Sequence, residues 1–159
     1  MSTLATKAAP TYLREARLSA GYSNRGTATT RVPYSQETIG RHERGEIPVN
    51  PADMMIYSKC YERKDLLIRY CSDCPIGKET GREARDRDLP LATLRLTRRL
   101  RLAAKDVAGT LESIADDGVI YEKERPRFDD SLSVLKELSA SIADYLLYAA
   151  AQDAKREPT

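Results

Sequence analysis

An all-α fold is expected, and three features of the chain predict it. Apolar residues recur at helical spacing, as in Leu100, Ala104, Val107, Leu111 and Ile114, which step by 4, 3, 4 and 3. Strand-type alternation bounded by turn residues is nearly absent. Helix start and stop signals are plentiful: Ser35 and Gly45 bracket one short stretch, and Asn50-Pro51 opens another. The 159 residues suffice for one domain or two small ones. They are 41% hydrophobic and 31% charged, with nine Tyr, one Phe and no Trp, so the core is modest.

Composition also excludes classes. No run of apolar residues approaches membrane-spanning length, so no membrane partner is expected. Met1–Pro10 reads as a frayed start without an apolar signal core, which predicts a cytoplasmic protein. The net charge of +2 hides an asymmetry. Residues 1–75 carry 11 basic and 8 acidic side chains, residues 76–109 carry 9 and 5, and residues 110–159 carry 6 and 11. A basic front and an acidic end suggest a nucleic-acid partner for the front.

In chain order, Thr11–Ala20 reads as a helix striped by Leu13, Ala16, Arg17 and Ala20 and stopped at Gly21. Ser23–Arg31 reads as a short, weak helix with Ser23 as N-cap, because Gly26 and the Thr/Ala run are poor helix formers. Val32–Tyr34 is a turn. Ser35-Gln-Glu-Thr-Ile-Gly-Arg-His-Glu-Arg-Gly45 is a helix of about ten residues between a Ser cap and a Gly stop. Asn50 caps the next helix, with Pro51 at its first position, to about Tyr61. Asp65–Cys71 is a fifth short helix.

The helix after Ser35 organises the front of the chain. Wound at 100° per residue, Gln36, His42 and Glu43 fall within about 60° of Ile39, while Glu37, Arg41 and Arg44 fall opposite. One apolar anchor faces in; a cationic, hydrogen-bonding face looks out, as on a helix presented to a DNA groove. An ordinary solvated helix with an i,i+4 Glu37–Arg41 pair has the same pattern. His42, the single histidine, is expected to pack beside Ile39; phosphate contact or metal ligation is the alternative.

Leu13-Arg-Glu-Ala-Arg-Leu-Ser-Ala-Gly21 followed by Thr38-Ile-Gly-Arg-His-Glu-Arg-Gly45 resembles the lambda-repressor/Cro-type (XRE-like) helix-turn-helix family over residues 11–71. The segment between the two matches differs: it lacks the family's central Leu and has Val32-Pro33 where a turn Gly is usual. The resemblance implies a five-helix lambda-repressor-like domain whose third helix lies in the major groove of double-stranded DNA, usually as a dimer on a two-fold operator. It implies that Gln36, Glu37 and Arg41 face base edges, with Arg41 suited to guanine and Gln36 to adenine. Thr38, Arg44 and Asn24 would touch phosphates. Glu37 either contacts a base or holds Arg41.

Cys71-Ser-Asp-Cys74-Pro has the C-x-x-C spacing of a zinc turn, and Cys60 is the other thiol. No sequence logic supplies a fourth ligand, so the three read first as reduced thiols. Zinc on Cys71, Cys74 and Cys60 is the lesser alternative, and redox chemistry the least. One histidine, no H-x-x-x-H pattern and no Gly-rich phosphate loop argue against an enzyme, and no cofactor is expected.

Residues 73–90 read as a charged linker. Residues 91–155 read as an antiparallel helical hairpin, Leu91–Asp117 and Arg127–Ala154. The second helix carries Leu132, Leu135, Leu138, Ile142 and Leu146 as its apolar stripe. A bare hairpin leaves much apolar surface wet, so a homodimer through this unit is expected, with packing on the front domain as the alternative. Arg95, Arg98, Arg99 and Arg101 either add DNA contacts or pair with acids of the second helix. The sequence thus predicts residues 11–72 as a DNA-binding domain, followed by a dimerisation hairpin. The function expected is sequence-specific transcriptional regulation, repressor-like and possibly of a mobile element. The alternative is a protein-interaction module on a helix-turn-helix scaffold that no longer binds DNA.

Overall fold

The structure, a computed structural model, describes residues 11–116 and 118–155. The expected frayed start, Met1–Pro10, lies outside the described residues, as does Asp117. All regular structure among the described residues is helical. The elements are α1 (Thr11–Ser19), α2 (Arg25–Ala28), α3 (Gln36–Glu43), α4 (Pro51–Cys60), α5 (Asp65–Asp73), α6 (Pro75–Glu79), α7 (Leu89–Leu102), a π-helical turn (Ala103–Val107), α8 (Ala108–Ala115) and α9 (Arg125–Asp153). No described helix is long and apolar enough to cross a membrane. The chain divides into two compact units between Leu67 and Ile68, with residues from Ala154 onward counted with the first.

The first unit buries Leu13 and Ala16 of α1, Ala28 of α2, Val32 of the turn, Ile39 of α3, Met54 and Tyr57 of α4, then Tyr61 and Leu66. Helices this short are held by tertiary contact and by their caps. Ser35 Oγ accepts from Thr38 N, and Asn50 Oδ1 accepts from Asp53 N behind Pro51, as the sequence predicts. α2 differs in detail. Its cap is Asn24, whose Oδ1 accepts from Thr27 N at 2.9 Å, and the helix spans only four residues. Ser23 and Asn24 are both good caps, and Thr27 Oγ1 bonding back to Asn24 O at 2.8 Å sets the register on Asn24.

In the second unit α9 packs antiparallel along α7 and α8. Arg95 meets Asp144, Arg99 meets Glu137, and Arg127 Nη2 donates to Thr110 Oγ1, so numbers fall on one side as they rise on the other. The heptad seam expected from Leu100 to Ile114 is not continuous. Val107 and Ile114 are buried, but Leu100 is exposed, and Ala92 is the buried residue of α7. The π-helical turn between them takes up extra residues per turn and rotates the inward face.

The stripe expected on α9 is only partly covered within this unit. Leu132, Ile142 and Leu146 stay 39%, 40% and 53% exposed, while Ser131, Ser141, Asp144 and Leu147 are buried. Each serine hydroxyl bonds to the carbonyl four residues back, at 2.9 Å, so it costs no unsatisfied group. Residues 73–90 carry more structure than a linker: α6 is helical, and the following strand-free segment is tied to α9. Asp144 accepts from Arg85 N and from Arg87 Nε, both at 2.7 Å.

Candidate nucleic-acid interface

Helix α3 is fixed at both ends. Ser35 closes the first turn, and Gly45 closes the last with φ +68°. Gly45 N bonds to His42 O at 3.1 Å and Glu46 N to Arg41 O at 2.9 Å, a Schellman-type stop that favours glycine because its φ is positive. Inward, Ile39, Gly40, His42 and Glu43 are buried.

Glu43 is the centre of an ion-pair clamp joining three helices. Its carboxylate accepts from Arg17 Nε of α1 at 2.6 Å and from Arg25 Nε of α2 at 2.9 Å. Arg17 also donates to Tyr22 O at 2.7 Å. Burial pushes the Glu43 carboxyl up, but the bonds and charges of Arg17 and Arg25 outweigh it and hold the group below its usual value. Sequence reasoning placed Glu43 and Arg17 on inward faces without pairing them. Two oppositely charged residues on inward faces were the available signal.

His42 is buried, as its angle predicts. Its Nδ1 is hydrogen-bonded to Tyr57 Oη at 2.8 Å, and its ring packs edge-on against Tyr34 and Tyr57. Burial lowers its pKa, with Arg41 acting the same way and Asp53 opposing. Tyr34 donates to Asp53 at 2.7 Å, and burial, then that bond, push its hydroxyl up to about 12. Burial likewise raises Tyr57 and Tyr61. These rings are neutral structural groups that seat α3 on α4.

Outward, Gln36, Glu37, Arg41 and Arg44 are exposed and Thr38 is half-buried. Gln36 departs from its angular placement beside Ile39, because it lies in the first turn, against α2. A Cβ added at Gly26 would lie 3.1 Å from Asn24 Oδ1 and 3.3 Å from Gln36 Oε1, so Asn24 and Gln36 flank one glycine. Thr38 Oγ1 lies 2.9 Å from Ser35 Oγ and completes the cap. The Glu37–Arg41 pair does not form. Arg41 lies instead 3.9 Å from Glu46, which the sequence analysis did not single out. Arg44 grips the same carboxylate, Nε to Oε1 at 2.5 Å and Nη2 to Oε2 at 2.9 Å. That pairing, chiefly the Arg44 bonds, holds Glu46 below its usual carboxyl value. Arg41, 48% exposed at its side chain, keeps its guanidinium available on the outer face.

The cysteines do not converge. Cys60 donates to Arg31 O at 3.1 Å, Cys74 is the N-cap of α6, and Cys71 is exposed. Among the described residues no group of three or more His, Cys, Asp or Glu is placed to hold a metal ion. What the outer face of α3 offers chemically is hydrogen bonding and two arginines, with the carboxylates of Glu37 and Glu46 among them. Comparison with known proteins returns no matching family model, no matching curated protein and no matching solved structure.

Proposed function

We propose that the chain is a sequence-specific regulator that binds double-stranded DNA through α3, in the manner of a lambda-repressor/Cro-type helix-turn-helix protein. Residues 11–72 are then the five-helix DNA-binding domain, and α7 to α9 the hairpin through which it dimerises. The observation that carries this reading is a short helix capped at both ends and clamped by Glu43, with Arg41 exposed on its outer face beside Glu46. An exposed Arg41 suits bidentate contact with guanine O6 and N7, and Gln36 suits adenine. Asn24, Thr38 and Arg44 serve phosphates. Arg44 must exchange Glu46 for a phosphate, an exchange between exposed partners that costs little.

Dimerisation rests on α9. Leu132, Leu135, Ser139, Ile142, Leu146 and Ala149 follow one another at alternating 3- and 4-residue steps, and the exposed leucines and isoleucine leave that seam open to a second α9. The second reading is a protein-interaction module without DNA binding. It is favoured by the one-turn α2 and by the Glu46 carboxylate set among the α3 cations. Enrichment of genomic fragments by the purified protein, with Arg41→Ala in parallel, separates the two. A palindromic site lost by the variant supports DNA reading; a stable dimer that enriches nothing supports the module.

A further inference from the structure

We propose that Arg98, Arg101 and Lys105, on the outer side of the second unit, form a second binding ridge for the phosphate backbone of DNA. The proposal rests on the DNA-binding reading of α3 and extends the contact to a unit outside the helix-turn-helix. The arginine cluster of α7 divides by face. Arg95 lies 3.6 Å from Asp144, and Arg99 is bonded to Glu137, so these two turn toward α9. Arg98, Arg101 and Lys105 turn away and form no ion pair among the described residues. They line an open groove of about 470 Å³ with Leu94, Thr97, Leu102 and the edge of Arg99, against one acid, Asp106.

Unpaired cations on one ridge repel each other, and an unliganded protein gains nothing from that arrangement. A polyanion offsets it. At 1.5 Å rise per residue the three span about 10.5 Å of helix axis. That is the axial length of roughly three phosphates on one strand, at about 3.4 Å each. Arginine suits phosphate through its planar fork. At 100° per residue, Arg98 and Arg101 lie at least about 100° around α7 from Arg99, and Lys105 follows in the π-helical turn. The competing occupant is an acidic surface of a second copy, since exposed Leu94 adjoins the ridge.

The test uses the full chain, a duplex selected by genomic enrichment, and affinity measured from about 50 to 200 mM salt. The triple variant R98Q/R101Q/K105Q is expected to lower the log–log salt slope by about 2 to 3 and to weaken binding on the order of 10- to 100-fold. R98K/R101K keeps the slope, and the dimer mass stays the same. Each single variant lowers the slope by about 0.9, which keeps the test valid if the triple variant fails to fold. An unchanged slope in all variants overturns the proposal. So does loss of dimer mass at an unchanged slope, which assigns the ridge to a second copy. If Arg41→Ala abolishes sequence preference while the ridge variants bind like wild type, only the ridge fails. If the wild type binds no duplex, both readings fail.

Discussion

Replacing Glu43 with Ala tests whether the α3 support is the clamp that the geometry describes. The Glu43 and Arg17 side chains are 3% and 5% exposed, and their contact is 2.6 Å. Truncating one member of a buried pair leaves the other charged and unpaired, at about 3–5 kcal/mol. Tyr22 O still accepts from Arg17, and Arg25 is half-exposed and can turn to water, so the low end applies, about 3 kcal/mol. That is a large share of the roughly 5–15 kcal/mol that stabilises a typical domain. Urea unfolding of the full chain, followed by near-UV tyrosine signal with Tyr70, Tyr121, Tyr145 and Tyr148 of the second unit replaced by Phe, reads it through the ring cluster of Tyr22, Tyr34, Tyr57 and Tyr61 in the first unit. Glu46→Ala is the control: it removes a carboxylate that also binds arginine, but at an exposed site, and should leave the midpoint in place. If Glu43→Ala costs no more than Glu46→Ala, the clamp does not hold α3 and the reasoning is refuted.

Two other outcomes follow from the same contacts. His42 has a folded-state pKa below its ordinary 6.5, so protonation favours the unfolded chain. Stability of the first unit should be full above about pH 6.5 and decline as pH falls toward the folded value; His42→Gln should remove that slope, and an identical pH profile in the variant would contradict it. Ile142→Glu with Leu146→Glu places charge on the open α9 seam, so light scattering should report one 17.8 kDa chain where the wild type gives two. A wild type that is already monomeric would end the α9 argument.

Local chemistry was the legible part. Ser35, Gly45 and Asn50-Pro51 act within one helical turn, so their roles can be read from neighbours, and the inward angles of Ile39, His42 and Glu43 held. Pairings across distance were not legible. Glu43 meets Arg17 and Arg25 from 26 and 18 positions away, and no pattern in either segment names the other. The α7–α8 seam failed for a different reason: the pattern of apolar residues assumes a constant helical period, and the π-helical turn at Ala103–Val107 breaks it. On α9 the apolar pattern did not reveal which residues meet α7 and α8. Ser131, Ser141, Asp144 and Leu147 are the buried residues, while Leu132, Ile142 and Leu146 stay exposed. At α3 the Glu37–Arg41 pair, one of two roles open to Glu37, does not form; Arg41 lies by Glu46, which is beyond the helix stop, where periodicity says nothing.

The most direct test of the central claim is affinity of wild type and Arg41→Ala for the most enriched genomic fragment and for a scrambled duplex, at two salt concentrations. The account predicts that the variant loses about 1–3 kcal/mol on the enriched site and little on the scrambled one. Equal binding of both duplexes by both proteins, or no binding by either, would contradict a base-reading role for α3.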